Sequence, residues 1–304
     1  MIINKRIPLK YWFSLIKYQL PFIVVISAGL SYADQFIEPV LGLKFPLMPM
    51  TIPSILGTLI TLVLAFKMAQ SYDRWWEARK IWGEIVNDSR AFIREVSFLM
   101  TEDSSANHAL RDVMITNLIG WCYALAYSLR GITGTSHNPY LSPSQQEELD
   151  KIDHNTPNAM LYQMMSNVKI AYDKGYVTDY QQIRLASTIN DISVAMGKSE
   201  RIKHTVFPKL YTKAIDISIW AFMVIFPLAF RDNNEYIEFP IVTAVCSMFF
   251  MLANLAKDLK DPFENRPTDI SMLAIVRNIE IFGLKVMNKK DIPAPLEAEK
   301  FYIM

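Results

Sequence analysis

Four stretches without a charged residue constrain this chain more than any other feature. They cover residues 18–33, 45–66, 217–230 and 239–256, each closed by a charged residue. A helix that crosses a bilayer needs about 20 mostly apolar residues. The second and fourth stretches reach that length unaided. The first and third reach it by extension, the first over residues 11–17 and the third over Ile215 and its neighbours, with terminal charges at the interface. Buried helices of a soluble bundle are the alternative, but such helices normally keep a polar face. Residues 217–230 read ISIWAFMVIFPLAF, with Ser218 as the one polar side chain. The expected membrane helices are therefore about 18–40, 48–70, 212–231 and 237–257.

Composition agrees with clustered apolar sequence. Hydrophobic residues make up 51% of the 304 residues and charged residues 20%, yet mean hydropathy is +0.15. A chain this apolar is not disordered. With 31 Lys plus Arg against 30 Asp plus Glu, it lacks the basic excess of a nucleic-acid binder, and no nucleic-acid partner is expected. The two cysteines, Cys122 and Cys246, are far apart and form neither a disulfide framework nor a zinc set. The basic N-terminus resembles the start of a signal peptide, but no small-x-small cleavage site closes the apolar run. The run is read as a retained membrane segment.

Flanking charges set the orientation. Lys5, Arg6, Lys10 and Lys17 precede the first span. The first loop carries Lys44 beside Asp34 and Glu38, and the last carries Arg231 beside Asp232 and Glu235. Lys and Arg return after Lys257. Both termini are expected in the cytoplasm, with a cytoplasmic helical region over about 73–211 and a cytoplasmic tail over 258–304. A bacterial inner membrane is the expected location.

No breaker separates Phe66 from Trp82, so the second span is expected to continue as one long helix. Residues 101–107 read as a turn and 110–129 as a second helix ending near Gly131 and Gly134. Ser142-Pro143 and Thr156-Pro157 read as an N-cap followed by proline at the first helical position. Gly175 should end one helix, and Asp179 should cap another running to Gly197. No convincing strand is visible. The fold class is all-α, part membrane and part cytoplasmic.

The four histidines are isolated, and no zinc-protease, Walker, dinucleotide or nucleophile-elbow motif occurs. Nothing in the sequence supports an enzyme, a metal site or a cofactor. The unusual cluster is Ser71-Tyr-Asp-Arg-Trp-Trp-Glu-Ala-Arg-Lys-Ile-Trp-Gly83. Its aromatic residues suit a membrane–water interface, and Arg74 and Glu77 are spaced to pair along a helix. A simple interfacial belt explains it as well as a functional role does.

This segment, with Asp73, Arg74, Trp75, Trp76 and Glu77, resembles the signature of the bestrophin family of pentameric ion channels in its bacterial branch. Glu200-Arg-Ile202 with Thr205 and Pro208, and Asp261, Pro262 and Phe263 after the fourth span, are similar to further family segments. The resemblance extends over essentially the whole chain. It implies a homopentamer in a lipid bilayer, around one pore that passes small monovalent ions, chloride or sodium. The family's hydrophobic neck lies eight, twelve and sixteen residues before the motif arginine. Here those positions are Phe66, Leu62 and Thr58, which share one helix face. Packing against neighbouring helices would explain the same side chains. Thr58 departs from the usual apolar residue and would make its ring easier to wet, so the tightest barrier is expected at Leu62 and Phe66. Gly57 would let adjacent helices approach closely.

The family's second constriction, at the cytoplasmic exit, corresponds to Tyr180 on one count and to Val177 one turn away. Animal relatives bind calcium after the fourth span. Here Arg266 and Pro267 interrupt the acidic run, which points to a structural role at the end of that helix. A non-conducting membrane scaffold or regulatory subunit is the competing reading. Asp216, at the edge of the third span, reads equally as functional or interfacial.

Overall fold

The computed structural model describes residues 1, 7–32, 48–100, 105–132, 137–206, 208–230, 235–298 and 301–303. Lys5, Arg6, Asp34, Glu38, Lys44, Arg231 and Asp232, which entered the orientation argument, lie outside the described residues. So do residues 33–40 of the expected first span, residues 101–104 of the expected turn, and Gly134.

Ten α-helices lie among the described residues: α1 Leu9–Leu15, α2 Leu20–Ser31, α3 Thr51–Leu99, α4 Ser105–Leu129, α5 Pro143–Asp150, α6 Thr156–Asp173, α7 Asp179–His204, α8 Lys209–Phe230, α9 Glu235–Leu259 and α10 Met272–Val286. They divide into an apolar unit, Lys5–Trp75 with Val206–Lys260, and a large unit, Met1–Asn4 with Trp76–Thr205 and Asp261–Met304.

In the apolar unit, α2, α8 and α9 pack against one another. Ile60 and Leu64 of α3 join Ile219, Met223, Cys246 and Phe250 in its core. Helices α3, α8 and α9 are long and apolar enough to cross a membrane, and α1 with α2 adds a further candidate if the bent pair counts as one span. The expected extension of the first span over residues 11–17 falls largely on α1, which is bent from α2 rather than continuous with it. The chain turns by 75° between α1 and α2. Pro21 lies in the first turn of α2, where it has no N–H for the carbonyl four residues earlier and its ring would clash with it. Asn254 Nδ2 of α9 donates to the Leu15 carbonyl at 2.7 Å, satisfying the end of α1.

Helix α3 is continuous for 49 residues. Its stretch from Ala65 to Arg79 is rich in strong helix formers and holds no glycine or proline. In the large unit α4 packs on α6, α7 and α10, and α6 packs on α5 and α7. Trp82, Phe92 and Trp121 are fully buried there, each worth about 1.5–3 kcal/mol of transfer free energy.

Several boundaries differ from the sequence reading. Ser105, Ala106 and Asn107 belong to α4 rather than to a turn. The N-cap of α6 is Asn155, not Thr156; the Thr156 hydroxyl instead accepts from Gln146 Nε2 at 2.9 Å. Thr178, not Asp179, caps α7, in a box with Gln181. Helix α7 also passes through Gly197 to His204, because buried Ala195, Met196 and Ile202 on either side hold it to the core. Gly131 and Gly175 do end their helices, with φ of +69° and +75°, values that favour glycine.

The tail contains α10, which the sequence reading did not identify. Its signal was legible: Met272, Val276, Ile279 and Gly283 recur at helical spacing, and all are buried. At Gly283 a Cβ would sit 2.9 Å from Ile119 Cδ1, so the missing side chain is what lets α10 approach α4.

Candidate functional site

Helix α3 has two apolar faces in the apolar unit. Ile60, Leu64 and Lys67 turn inward and are buried, whereas Leu62 is 53% exposed and Phe66 59% exposed. Thr58 is exposed on the same side as these two. A large aromatic and a leucine open to this degree mark a surface that meets lipid, another protein surface or a dry constriction.

Thr58 and Leu62 also edge a cleft of about 610 Å³ against Phe222, Phe226 and Phe249, and Gly57 lies in it. The Thr58 hydroxyl donates to the Ser54 carbonyl at 2.8 Å. Its proton is spent on its own helix, leaving only lone pairs toward the exposed face. Thr61 does the same with the Gly57 carbonyl at 2.8 Å.

Lys67 follows Phe66 directly and is fully buried. Its Nζ makes no hydrogen bond among the described residues. The charged groups that act on it are Lys257, Asp216 and Lys260, and Asp216 Oδ2 already accepts from Lys257 Nζ at 3.0 Å. Asp216 is thus half of an ion pair, and Lys67, taken as a charge bounding a span, in fact points into the helix packing.

The signature segment divides by role. Tyr72 and Trp75 stack with ring centroids 6.1 Å apart. Tyr72 is half exposed, Trp76 is 47% exposed, and Asp73 is exposed. Arg74 is half-buried. Glu77 Oε1 accepts from Arg201 Nη2 at 2.7 Å, a partner 124 residues away.

Arg201 lies in the Glu200-Arg-Ile202 segment on α7. Its neighbours are also committed: Ile202 is buried, Lys203 Nζ donates to Glu264 Oε1 at 2.7 Å, and Glu200 Oε1 accepts from Asn155 Nδ2 at 2.8 Å. In the segment after α9, Phe263 is buried and the Pro262 carbonyl accepts from Ile270 N at 3.1 Å. Asp269 is buried and its Oδ2 accepts from Arg266 N at 2.9 Å. These groups close a tight turn, with Asn265 at φ +66°. Among the described residues no cluster of three His, Cys, Asp or Glu is placed to hold a metal.

At the start of α7, Tyr180 is 87% exposed whereas Val177 is 3% exposed. Of the two candidates for a second constriction, only Tyr180 presents its side chain outward.

Sequence reasoning missed the buried network around Glu280 on α10. Its Oε1 accepts from Tyr140 Oη at 2.6 Å, and its Oε2 from Tyr123 Oη at 2.7 Å and Arg277 Nε at 2.8 Å. The i,i+3 spacing of Arg277 and Glu280 was the only local signal; the tyrosines arrive through the fold.

Long apolar helices with exposed apolar faces, in a chain that also carries a second helical unit with its own core, define a helical membrane protein. The model of the bacterial and fungal bestrophin proteins matches residues 13–284, and the chain belongs to that family. It is 28% identical over 262 residues to the voltage-dependent anion channel-forming protein YneE of Escherichia coli K12, covering 86% of this chain and 84% of the relative. The protein of the same name from Salmonella typhi is 31% identical over 265 residues, with the same coverage. The crystal structure of a bacterial bestrophin homologue from Klebsiella pneumoniae superposes with a TM-score of 0.80 at 22% identity, over 91% of this chain and 100% of that one. That likeness establishes the fold.

Proposed function

We propose that this chain is one subunit of a homopentameric ion channel whose pore narrows at a hydrophobic neck on α3. The observation that carries the reading is the exposure of Leu62 and Phe66 on one face of that helix, in a chain whose family includes channel-forming relatives. Five copies would place five Leu62 and five Phe66 around one axis. A ring of this kind stops ions by expelling water when closed. Thr58 forms the most easily wetted of the three rings, moderated by its bond to Ser54. Tyr180 is the residue proposed for the cytoplasmic aperture.

The neck carries no charge, so the sign of the ion is set elsewhere along the pore. The names of the relatives favour a small monovalent anion such as chloride over sodium. The protein sits in a bacterial inner membrane with both termini in the cytoplasm, and α1–α2, α3, α8 and α9 supply the spans.

Purified protein in planar bilayers under an asymmetric salt gradient tests this reading. Current that increases in Leu62→Ala and Phe66→Ala is expected, and the reversal potential reports the sign of the ion. A well-behaved oligomer that passes no current, wild type or variant, overturns the channel and leaves the scaffold in its place.

A further inference from the structure

Helix α1 stands apart from the packing of the apolar unit. None of its seven residues is buried, and no side chain caps its first turn. An isolated helix in water is marginal below about 12–15 residues, so α1 depends on what surrounds it. On the protein side it packs on α9, with Tyr11 and Leu15 half-buried. The bond from Asn254 to the Leu15 carbonyl ties its last turn, and Ile16, just beyond it, is buried in the core.

The rest of its surface is amphipathic. Leu9, Trp12 and Phe13 fall on one face by the helical period and are exposed, Leu9 by 76% and Phe13 by 57%. Lys10 and Ser14 are exposed on the flank away from that face. From Leu9 to Ser31 the chain carries Lys10 and Lys17 and no acidic residue. Lys17 Nζ sits 4.6 Å from the centroid of the Tyr18 ring, and Tyr18 is exposed. Leu, Trp and Phe on one face with lysine off that face suit a helix lying in a bilayer interface, and Trp and Tyr favour that depth.

The direction of α1 agrees with its composition. Residues 16–19 join it to α2, whose outer face exposes Phe22 and Val25. With α2 directed across the bilayer, the 75° turn between the two helices lays α1 close to the membrane plane. Lipid then answers both halves of the surface, acyl chains for the apolar face and headgroup phosphates for the lysines.

We propose that α1 is an in-plane anchor that docks on the lipid surface of the cytoplasmic leaflet. Leu9, Trp12 and Phe13 enter the headgroup–acyl boundary, and Lys10 and Lys17 meet lipid phosphates. This rests on the membrane reading given above and refines it: α2 enters the hydrocarbon, and α1 stays at its edge. The Asn254 bond ties α9 to the same depth.

The test uses spin labels on the full chain in vesicles of phosphatidylethanolamine and phosphatidylglycerol. Depth is read from collisions with oxygen against those with a water-soluble nickel chelate. Phe13→Cys and Ser14→Cys place labels on the two flanks of α1, and Met248→Cys places one at an exposed position within α9. The native cysteines are buried, and wild type carried through the same labelling is the blank. The Phe13 label is expected about 5–10 Å into the headgroup–acyl boundary, the Ser14 label in the aqueous layer and the Met248 label deeper than both. A Phe13 label as open to the nickel chelate as the Ser14 label, with the Met248 label still in lipid, overturns the anchor alone. So does a Ser14 label as deep as the Phe13 label, which would make α1 part of the span. A Phe13 label shielded from both reagents also overturns it and assigns this face to a protein partner. A Met248 label in water overturns the membrane reading itself, and the anchor with it.

Discussion

Arg201 donates to Glu77 at 2.7 Å, and this pair joins two sequence segments that stand 124 residues apart. One is the aromatic signature on α3, the other the Glu-Arg-Ile segment on α7. The two resemble family motifs separately, and the fold makes them one contact. Both side chains are well exposed, 64% for Arg201 and 44% for Glu77, so solvent screens the attraction. A double-mutant cycle with Glu77→Gln and Arg201→Gln, read by chemical denaturation, should give a coupling of about 0.2–1 kcal/mol. A coupling of zero would show that the contact is positional without contributing to stability.

Lys67 is buried among the apolar helices with like-charged Lys257 and Lys260 acting on it, while Asp216 is committed to Lys257. Burying an ammonium under these conditions is costly. Lys67→Met keeps the length of the side chain and removes the polar group. It should stabilise the protein by about 1–4 kcal/mol, seen as a higher midpoint of thermal unfolding in detergent. A lower midpoint would mean that the lysine is satisfied by a group outside this chain.

Glu280 holds three donors, two of them tyrosine hydroxyls. Tyr123→Phe and Tyr140→Phe should each cost about 1–3 kcal/mol, because each leaves a buried carboxylate oxygen short of a donor. Burial first, and then the hydrogen bond to Glu280, raises the pKa of both phenols. In the folded state they keep their protons after the unfolded chain has released its own. Their contribution is complete below about pH 10 and declines as pH rises from there through the folded values. Unfolding midpoints measured between about pH 9 and 11 should fall less steeply in the double Phe variant than in wild type. Parallel slopes would refute the link.

Cys122 is fully buried, and burial pushes its thiol up to about 12. Cys246 is fully buried as well. Thiolate is the reactive form, so maleimide at about pH 8, below the ordinary thiol value, should label neither in the folded protein. Intact-mass spectra should show no adduct before denaturation and two after it. Rapid labelling of the native protein would indicate an opening that reaches one of the two cores.

Local rules made much of this molecule legible. The charge-free stretches located the apolar helices, the breaker-free run from Phe66 to Trp82 marked α3 as one rod, and Gly131 and Gly175 marked helix ends. Prolines and glycines were less reliable where packing intervened. Pro21 split the first segment, whereas Gly197 did not end α7 because buried neighbours on both sides outweigh a cost of about 1 kcal/mol. The candidate neck was named by counting from a motif. That Leu62 and Phe66 turn away from the packed side of α3, while Lys67 turns into it, follows from which face meets α8 and α9.

Composition, periodicity and motif alone establish an all-helical chain, the segments too apolar to face water, and the family to which it belongs. These depend on residues near one another in the chain, through composition, periodicity and helix-ending chemistry. It takes the packed helices to show that Glu77 meets Arg201, that Tyr123 and Tyr140 converge on Glu280, that Tyr180 points outward while Val177 is buried, and that Asn155 bridges two carboxylates. Each of these joins side chains distant in sequence or chooses between faces of a helix. A charge or hydroxyl has the same identity in the sequence whichever partner it finds, and helix packing selects that partner.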